Sequence, residues 1–213
     1  MNFCADQLLL YAVTDRAWVG RQTLLEQIED ALRGGVTMVQ LREKELPEDA
    51  FTAEAMEVKA LCHRYGVPLL IDDNVDVALK SGADGVHVGI EDTPVAEIRA
   101  RAGRDFIIGA TAKTVAQARA AQAAGADYLG VGAVFPSPTK KNAVRITVEQ
   151  LRDICGSVTI PAVAIGGISL GNIRELCGGG MRGVAVISAL FGADDIAGAA
   201  RTLKQEALSA VTR

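Results

Sequence analysis

The sequence predicts an α/β fold, a (β/α)8 or TIM barrel, and three observations carry that expectation. Short β-branched runs alternate with helical patterns along the chain, eight of each in order, which is what a closed eight-stranded parallel sheet requires. Of the 213 residues 49% are apolar and only 4% aromatic, so Val, Ile, Leu and Ala must fill the interior, as they do where strands are buried on both faces. The polar residues able to do chemistry fall mostly after strands, and in such a barrel those positions share one rim. The length suits one domain with a core large enough to need no staple, so residues 1–213 are read as a single catalytic barrel. An open doubly wound sheet would instead want a G-x-G-x-x-G turn after the first strand, and here that turn reads Thr14-Asp15-Arg16-Ala17-Trp18.

Strands are expected at Leu8–Thr14, Met38–Arg42, Pro68–Asp72, Gly85–Val88, Phe106–Ala110, Tyr128–Phe135, Pro161–Ile165 and Gly183–Ser188. The intervening helices are expected at Thr23–Arg33, Pro47–Tyr65, Val75–Ser81, Pro94–Ala102, Val115–Ala124, Thr147–Cys155, Gly171–Cys177 and Ala193–Ala210. Thr23 with Glu26, and Thr114 with Gln117, have the spacing of capping boxes. Gly34, Gly66, Gly82 and Gly125 stand where helices end and are expected to take the left-handed conformation. A faint repeat, Gly82-Ala83-Asp84-Gly85-Val86 and Gly125-Ala126-Asp127-Tyr128-Leu129, joins a helix end to a strand twice, as in a barrel grown by duplication.

Composition narrows the partners. Net charge is −4 and no basic stripe is present, which argues against nucleic acid. The apolar runs are too short to span a membrane, and no export signal is visible, so a cytoplasmic location is expected. Whether copies associate into a homo-oligomer is left open. Cys4, Cys62, Cys155 and Cys177 lack metal or redox spacing and read as reduced thiols. His63 and His87 lack a third ligand for zinc, and His87 reads as a satisfied structural histidine.

The rim carries three groups of candidates. Arg42, Lys44 and Lys140 are cations arriving from different strands, Arg offering a planar fork to phosphate oxygens and Lys a point charge. Asp73 and Asp92 follow adjacent strands, so their carboxylates can meet across a hard cation such as Mg2+. Gly166-Gly167 and Ile187-Ser188 can turn backbone N–H groups toward a phosphate after strands seven and eight. Gln40, Asp72, Thr111, Ser137 and Thr139 complete the rim.

These residues sit in motifs that resemble thiamine-phosphate synthases over nearly the whole chain. Leu10-Tyr11-Ala12-Val13-Thr14-Asp15 resembles their opening strand, and Val39-Gln40-Leu41-Arg42-Glu43-Lys44 their pyrimidine diphosphate motif. Asp84-Gly85-Val86-His87-Val88-Gly89 with Glu91-Asp92 is similar as well. So are Gly130-Val131-Gly132-Ala133-Val134-Phe135-Pro136-Ser137-Pro138-Thr139-Lys140 and Ala164-Ile165-Gly166-Gly167-Ile168. The resemblance implies an enzyme joining a hydroxymethylpyrimidine diphosphate to a thiazole phosphate, carboxylated or not, with release of pyrophosphate. It implies that Gln40, Leu41, Arg42, Glu43, Lys44, Asp72, Thr111 and Lys140 hold the diphosphate substrate, with Arg42, Lys44 and Lys140 catalytic. It assigns Mg2+ to Asp73 and Asp92, and the thiazole phosphate to Ser137, Pro138, Thr139, Gly167, Ile187 and Ser188. Many relatives carry Asn at Asp72, Gln at Ile90 and Ser at Thr111; none of these differences removes a charge the reaction needs. The segment Gly132–Val144 is expected to act as a lid.

Three other functions fit parts of the pattern. A thiazole-phosphate tautomerase would not need the diphosphate clamp. A non-catalytic thiamine-phosphate binding barrel would bind without releasing pyrophosphate. Another phosphate-binding barrel isomerase would want a Glu or Cys base at a strand end, for which Glu91 is the available candidate.

Overall fold

The computed structural model describes residues 3–20, 22–136 and 144–212. Eight parallel strands close into a barrel in chain order: β1 (Leu10–Val13), β2 (Met38–Leu41), β3 (Leu69–Asp72), β4 (Gly85–Val88), β5 (Ile107–Ala112), β6 (Tyr128–Gly132), β7 (Ala162–Ile165) and β8 (Gly183–Val186). β8 returns to pair with β1, with Leu10 opposite Val184, so no strand edge is left unpaired.

Alternation along each strand divides the core in two. Tyr11, Val13, Met38, Leu70, Ile107, Tyr128, Val163 and Ala185 pack together inside the barrel. Their neighbours Leu10, Ala12, Val39, Leu41, Leu69, Ile71, Val86 and Val88 face outward and pack beneath the helices. Both faces of every strand are therefore buried, which explains strands written almost wholly in aliphatic residues. The same alternation decides where polar side chains go. Gln40 is two residues after Met38, Asp72 two after Leu70, and Thr111 four after Ile107, so all three inherit the inward face near the C-terminal end of the barrel.

The opposite end is plugged. A 3-10 turn, Ala5–Leu8, sits there in place of the expected start of the first strand, and Leu8 is fully buried in the interior cluster. The helices are α1 (Leu24–Arg33), α2 (Glu48–Arg64), α3 (Val75–Ser81), α4 (Val95–Ala102), α5 (Val115–Ala123), α6 (Val148–Gly156), α7 (Ser188–Phe191) and α8 (Ile196–Val211). The box at Thr23 and Glu26 is complete. At Thr114 only half forms, because the Gln117 side chain accepts from the Lys113 N–H instead. A further complete box caps α6 through Thr147 and Gln150. Gly66, Gly82 and Gly125 have φ of +69°, +66° and +97°, but after α1 the left-handed residue is Gly35 (φ +97°) rather than Gly34. Gly34 is glycine for another reason: a Cβ there would collide with Ala200 of α8.

Two helical expectations are corrected. Between β7 and β8 there is only a single 3-10 turn, Ile173–Leu176, in place of a helix over Gly171–Cys177. Cys177 and then Gly178, Gly179 and Gly180 follow it. Asn172 turns back on its own loop, donating to the Gly167 carbonyl and accepting from the Ser169 N–H. After β8 a short extra helix, α7, precedes the long one, so Ser188 opens a helix rather than ending a strand. Among the described residues no helix is long and apolar enough to cross a membrane.

Candidate active site

The inward polar residues and the loops that follow them enclose a cavity of about 310 Å³ at the C-terminal mouth. Its walls include Gln40, Arg42, Lys44, Asp72, Asp73, His87, Asp92, Thr111 and Lys113, with Gly132, Ala133, Ile165, Gly166 and Ile187 on the far side. Cations from β2 thus face carboxylates from β3 and β4 across one space.

Backbone conformation explains how β3 delivers two consecutive carboxylates. In a continuing strand, residues 72 and 73 would point to opposite faces. Asp73 instead adopts φ +60°, and among non-glycine residues Asp is one of the few that tolerate this. Its N–H donates to the His87 carbonyl at 2.9 Å, the Asn74 N–H donates back to the Asp72 carbonyl at 2.7 Å, and the Asn74 side chain then caps α3. The chain thus reverses within two residues and both acids reach the cavity.

The charges are interlocked. Lys44 Nζ lies 2.5 Å from Asp73 and 3.0 Å from Asp72. Arg42 reaches Asp15 at 3.1 Å and stands 3.7 Å from Asp72. Burial raises the Asp72 carboxyl above its ordinary value, and Asp73 beside it adds to the rise. Burial would raise Asp73 too, but the Lys44 hydrogen bond and its contact with Asp92 hold it below the usual range. Asp92 is raised by burial and by that same contact with Asp73, although it accepts the Gly89 N–H at 2.7 Å. Burial alone would lower Lys44; its bonds to Asp73 and Asp72 raise it, so it stays a cation.

Among the described residues no group of three or more His, Cys, Asp or Glu side chains converges to hold a metal. Asp73 and Asp92 form a pair. Two touching carboxylates, one with a raised pKa, call for a proton or a cation between them. An all-oxygen set with only two protein ligands suits Mg2+ that completes its shell from water and phosphate oxygens.

Other expected residues divide. Leu41 is fully buried and points outward under the helices. Glu43 is buried against its own loop, accepting the Lys44 and Glu45 N–H groups at 2.8 Å and pairing with Arg16. Neither side chain lines the 310 Å³ cavity. Gly167, Ile187 and Ser188 do come together, around an adjoining recess of about 30 Å³. A Cβ on Gly167 would lie 2.8 Å from the Phe135 carbonyl carbon, so the chain leaving β6 packs on the Gly-Gly turn. Ser137, Pro138, Thr139 and Lys140, and with them most of the Gly132–Val144 segment, lie outside the described residues. Glu91 is exposed and absent from the cavity wall.

Sequence reasoning missed Asp15, which answers Arg42 from the loop after β1 and also caps a 3-10 turn through the Ala17 N–H. Its Asx-turn signal was legible, whereas its ion pair depends on β1 and β2 being neighbours. His87 is hydrogen-bonded at both ring nitrogens, as expected of a structural histidine, yet it also lines the cavity.

Comparison with known proteins follows the same lines. A family model described as thiamine monophosphate synthase matches residues 10–190. A thiamine-phosphate synthase of Ruminiclostridium cellulolyticum is 46% identical over 194 residues, covering 91% of this chain and 92% of the relative. Thiamine-phosphate synthase 2 of Streptococcus pneumoniae serotype 4 is 46% identical over 191 residues, covering 90% and 91%. The solved thiamine phosphate pyrophosphorylase of Pyrococcus furiosus superposes with a TM-score of 0.89 at 39% identity, over 97% of this chain and 98% of that one. Matched from β1 to α7 by the family model and almost end to end by these relatives, the chain belongs to the thiamine monophosphate synthase family.

Proposed function

We propose that this barrel is a thiamine-phosphate synthase that joins a hydroxymethylpyrimidine diphosphate to a thiazole phosphate in the 310 Å³ cavity. One observation carries the reading: Arg42 and Lys44 meet the Asp73–Asp92 pair at a single mouth. The carbon–oxygen bond to the diphosphate breaks with its electron pair leaving on oxygen, and the amino group of the pyrimidine ring feeds electrons into the carbon left behind. The thiazole nitrogen then supplies the pair for the new carbon–nitrogen bond. A carboxylated thiazole also loses carbon dioxide. No protein nucleophile is needed, so the residues act by placing charge and holding the two reactants in line.

Arg42 and Lys44 are paired with Asp15, Asp72 and Asp73. An incoming diphosphate takes over those cations. Asp73 and Asp92 would hold Mg2+, which when bound supplies charge neutralisation for the departing diphosphate. Gln40, Asp72 and Thr111 line the walls that orient the pyrimidine side. Gly167, Ile187 and Ser188 border the recess proposed for the thiazole phosphate, and the family resemblance adds Ser137, Pro138 and Thr139 as further ligands of it. Lys140 joins the cation clamp on the strength of the family resemblance. A cytoplasmic setting belongs to the same proposal and is supported by four unpaired cysteines.

The test is the purified chain incubated with both substrates and Mg2+. Pyrophosphate and thiamine phosphate are expected in equal amounts, with the yield abolished by excess chelator. Thiamine phosphate binding without pyrophosphate release would replace the reading with a binding barrel. Conversion of the thiazole phosphate alone would replace it with a tautomerase. Full turnover in chelator would remove the metal.

A further inference from the structure

A polar chain runs through the otherwise apolar barrel, joining two points of the cavity wall. Gln40 Nε2 donates to Tyr11 Oη at 2.8 Å, Tyr11 Oη lies 2.9 Å from Tyr128 Oη, Tyr128 Oη 2.9 Å from His87 Nδ1, and His87 Nε2 3.1 Å from Thr111 Oγ1. Tyr11 and Tyr128 are essentially unexposed, so no water competes for these groups. The barrel makes room for the chain: a Cβ on Gly109 would lie 2.5 Å from His87 Nδ1, and one on Gly130 2.7 Å from His87 Cε1.

Each member has few protons, so the chain has a direction. Gln40 Nε2, the atom that faces Tyr11, can only donate to it. The single Tyr11 hydroxyl proton must then go to Tyr128, and that of Tyr128 to His87 Nδ1. A ring nitrogen that accepts a hydrogen bond carries no proton, so Nδ1, accepting from Tyr128, is bare. The one ring proton of His87 therefore sits on Nε2 and is donated to Thr111 Oγ1. The Thr111 hydroxyl, having accepted, has its own proton free for the cavity. The Gln40 carbonyl oxygen, at the other end, is free to accept there.

We infer that Tyr11, Tyr128 and His87 are positioning residues whose one-way hydrogen-bond chain locks the Thr111 hydroxyl as a donor, and the Gln40 side chain as an acceptor, toward the bound substrate. The link to substrate rests on the proposed function, under which Gln40 and Thr111 line the wall that orients the pyrimidine diphosphate. The direction of the chain does not rest on it. The reverse direction would turn every proton around: Gln40 would accept from Tyr11, His87 would carry its proton on Nδ1, and Thr111 would spend its proton on the ring.

The chain holds only two histidines, so nitrogen-15 chemical shifts of the imidazole rings read the direction in the ligand-free protein. His87 is expected to carry its one ring proton on Nε2, with Nδ1 unprotonated. A proton on Nδ1, or averaging of both forms, would overturn the inference. Tyr11→Phe removes a hydroxyl that does not touch His87, and it is expected to move the His87 shifts toward the average of the two tautomers. Gln40→Leu, at the cavity wall, gives the same readout should Tyr11→Phe not fold. Unchanged shifts in the folded variant would overturn the coupling.

Kinetics form the second arm. Tyr11→Phe should lower kcat about 10- to 100-fold with KM little changed, the effect of losing one hydrogen bond to a charged group. Because it acts through Thr111, adding it to Thr111→Val should cost nothing further; additive losses would show that Tyr11 acts by another route. If the wild-type protein has the expected tautomer but makes no thiamine phosphate, the proposed function fails while the chain's direction stands.

Discussion

Asp73 combines two demands that separate cleanly by substitution. Its left-handed backbone costs a residue with a Cβ on the order of 1 kcal/mol, and its carboxylate is placed to share a cation with Asp92. Asn tolerates the same backbone, so Asp73→Asn should leave the denaturant midpoint nearly unchanged. It should still lower kcat by about 10²–10³, roughly 3–4 kcal/mol of transition-state stabilisation, by analogy with losing one preorganised charge partner. Asp73→Ala should show that loss together with lower stability. Near-normal turnover in Asp73→Asn would end the metal assignment. Truncating Lys140 is expected to cost activity on the same scale. His87 offers a test in pH. Burial lowers its pKa from 6.5 to about 4, so the unfolded chain takes up the proton first as pH falls. Its contribution is complete above about pH 6.5, declines between 6.5 and 4, and amounts to on the order of 3 kcal/mol. Urea midpoints of the wild type and of His87→Gln should therefore differ in slope across that window, the variant losing less on acidification. Parallel pH profiles would mean that His87 is not buried neutral.

At the scale of elements, the eight strands were legible because both of their faces are apolar, and their C-terminal ends were legible because that is where the polar residues begin. Their starts were less so: Leu8 is as aliphatic as Leu10, and nothing local says that it plugs the barrel from a 3-10 turn. The missing helix before β8 follows from three successive glycines and a self-bonded Asn172, chemistry that was visible but outweighed by an apolar spacing at Ile173 and Leu176. The candidate site divides the same way. Gln40, Arg42, Lys44, Asp72, Asp73, Asp92 and Thr111 were found by position on strands and now share one cavity. Asp15, Tyr11 and Tyr128 were not singled out, because their partners lie across the barrel and only closure brings them into contact. Glycines show how far local rules reach. Gly156 ends α6 with open space where a Cβ would go, so Gly156→Ala should stabilise by about 0.4–1 kcal/mol. Gly109 is pressed between Tyr128 and His87, so Gly109→Ala should cost about 1–3 kcal/mol by overpacking. Thermal unfolding of the two variants would settle the contrast; equal melting temperatures would mean that the interior of β5 is looser than described.

The whole barrel separates what keeps it folded from what it does. Its closed end is apolar and plugged by Leu8, while its open end crowds Asp72, Asp73 and Asp92 against Arg42 and Lys44, with burial raising Asp72 and Asp92 and the Lys44 bond holding Asp73 low. Stability and activity should respond oppositely to changes at the two ends. Leu8→Ala leaves a cavity in the interior cluster and should cost about 2–5 kcal/mol. At temperatures well below unfolding, kcat and KM should nevertheless stay close to wild type, because the cavity wall is untouched. Asp92→Asn should do the reverse. It removes a carboxylate whose ionisation is opposed by burial and by Asp73, and the amide oxygen can still accept the Gly89 N–H. The melting temperature is expected to rise while Mg2+-dependent turnover collapses. A fall in stability would mean that the Asp73–Asp92 contact holds the β3 and β4 ends together rather than straining them, and the pair would then be a structural link instead of a waiting metal site.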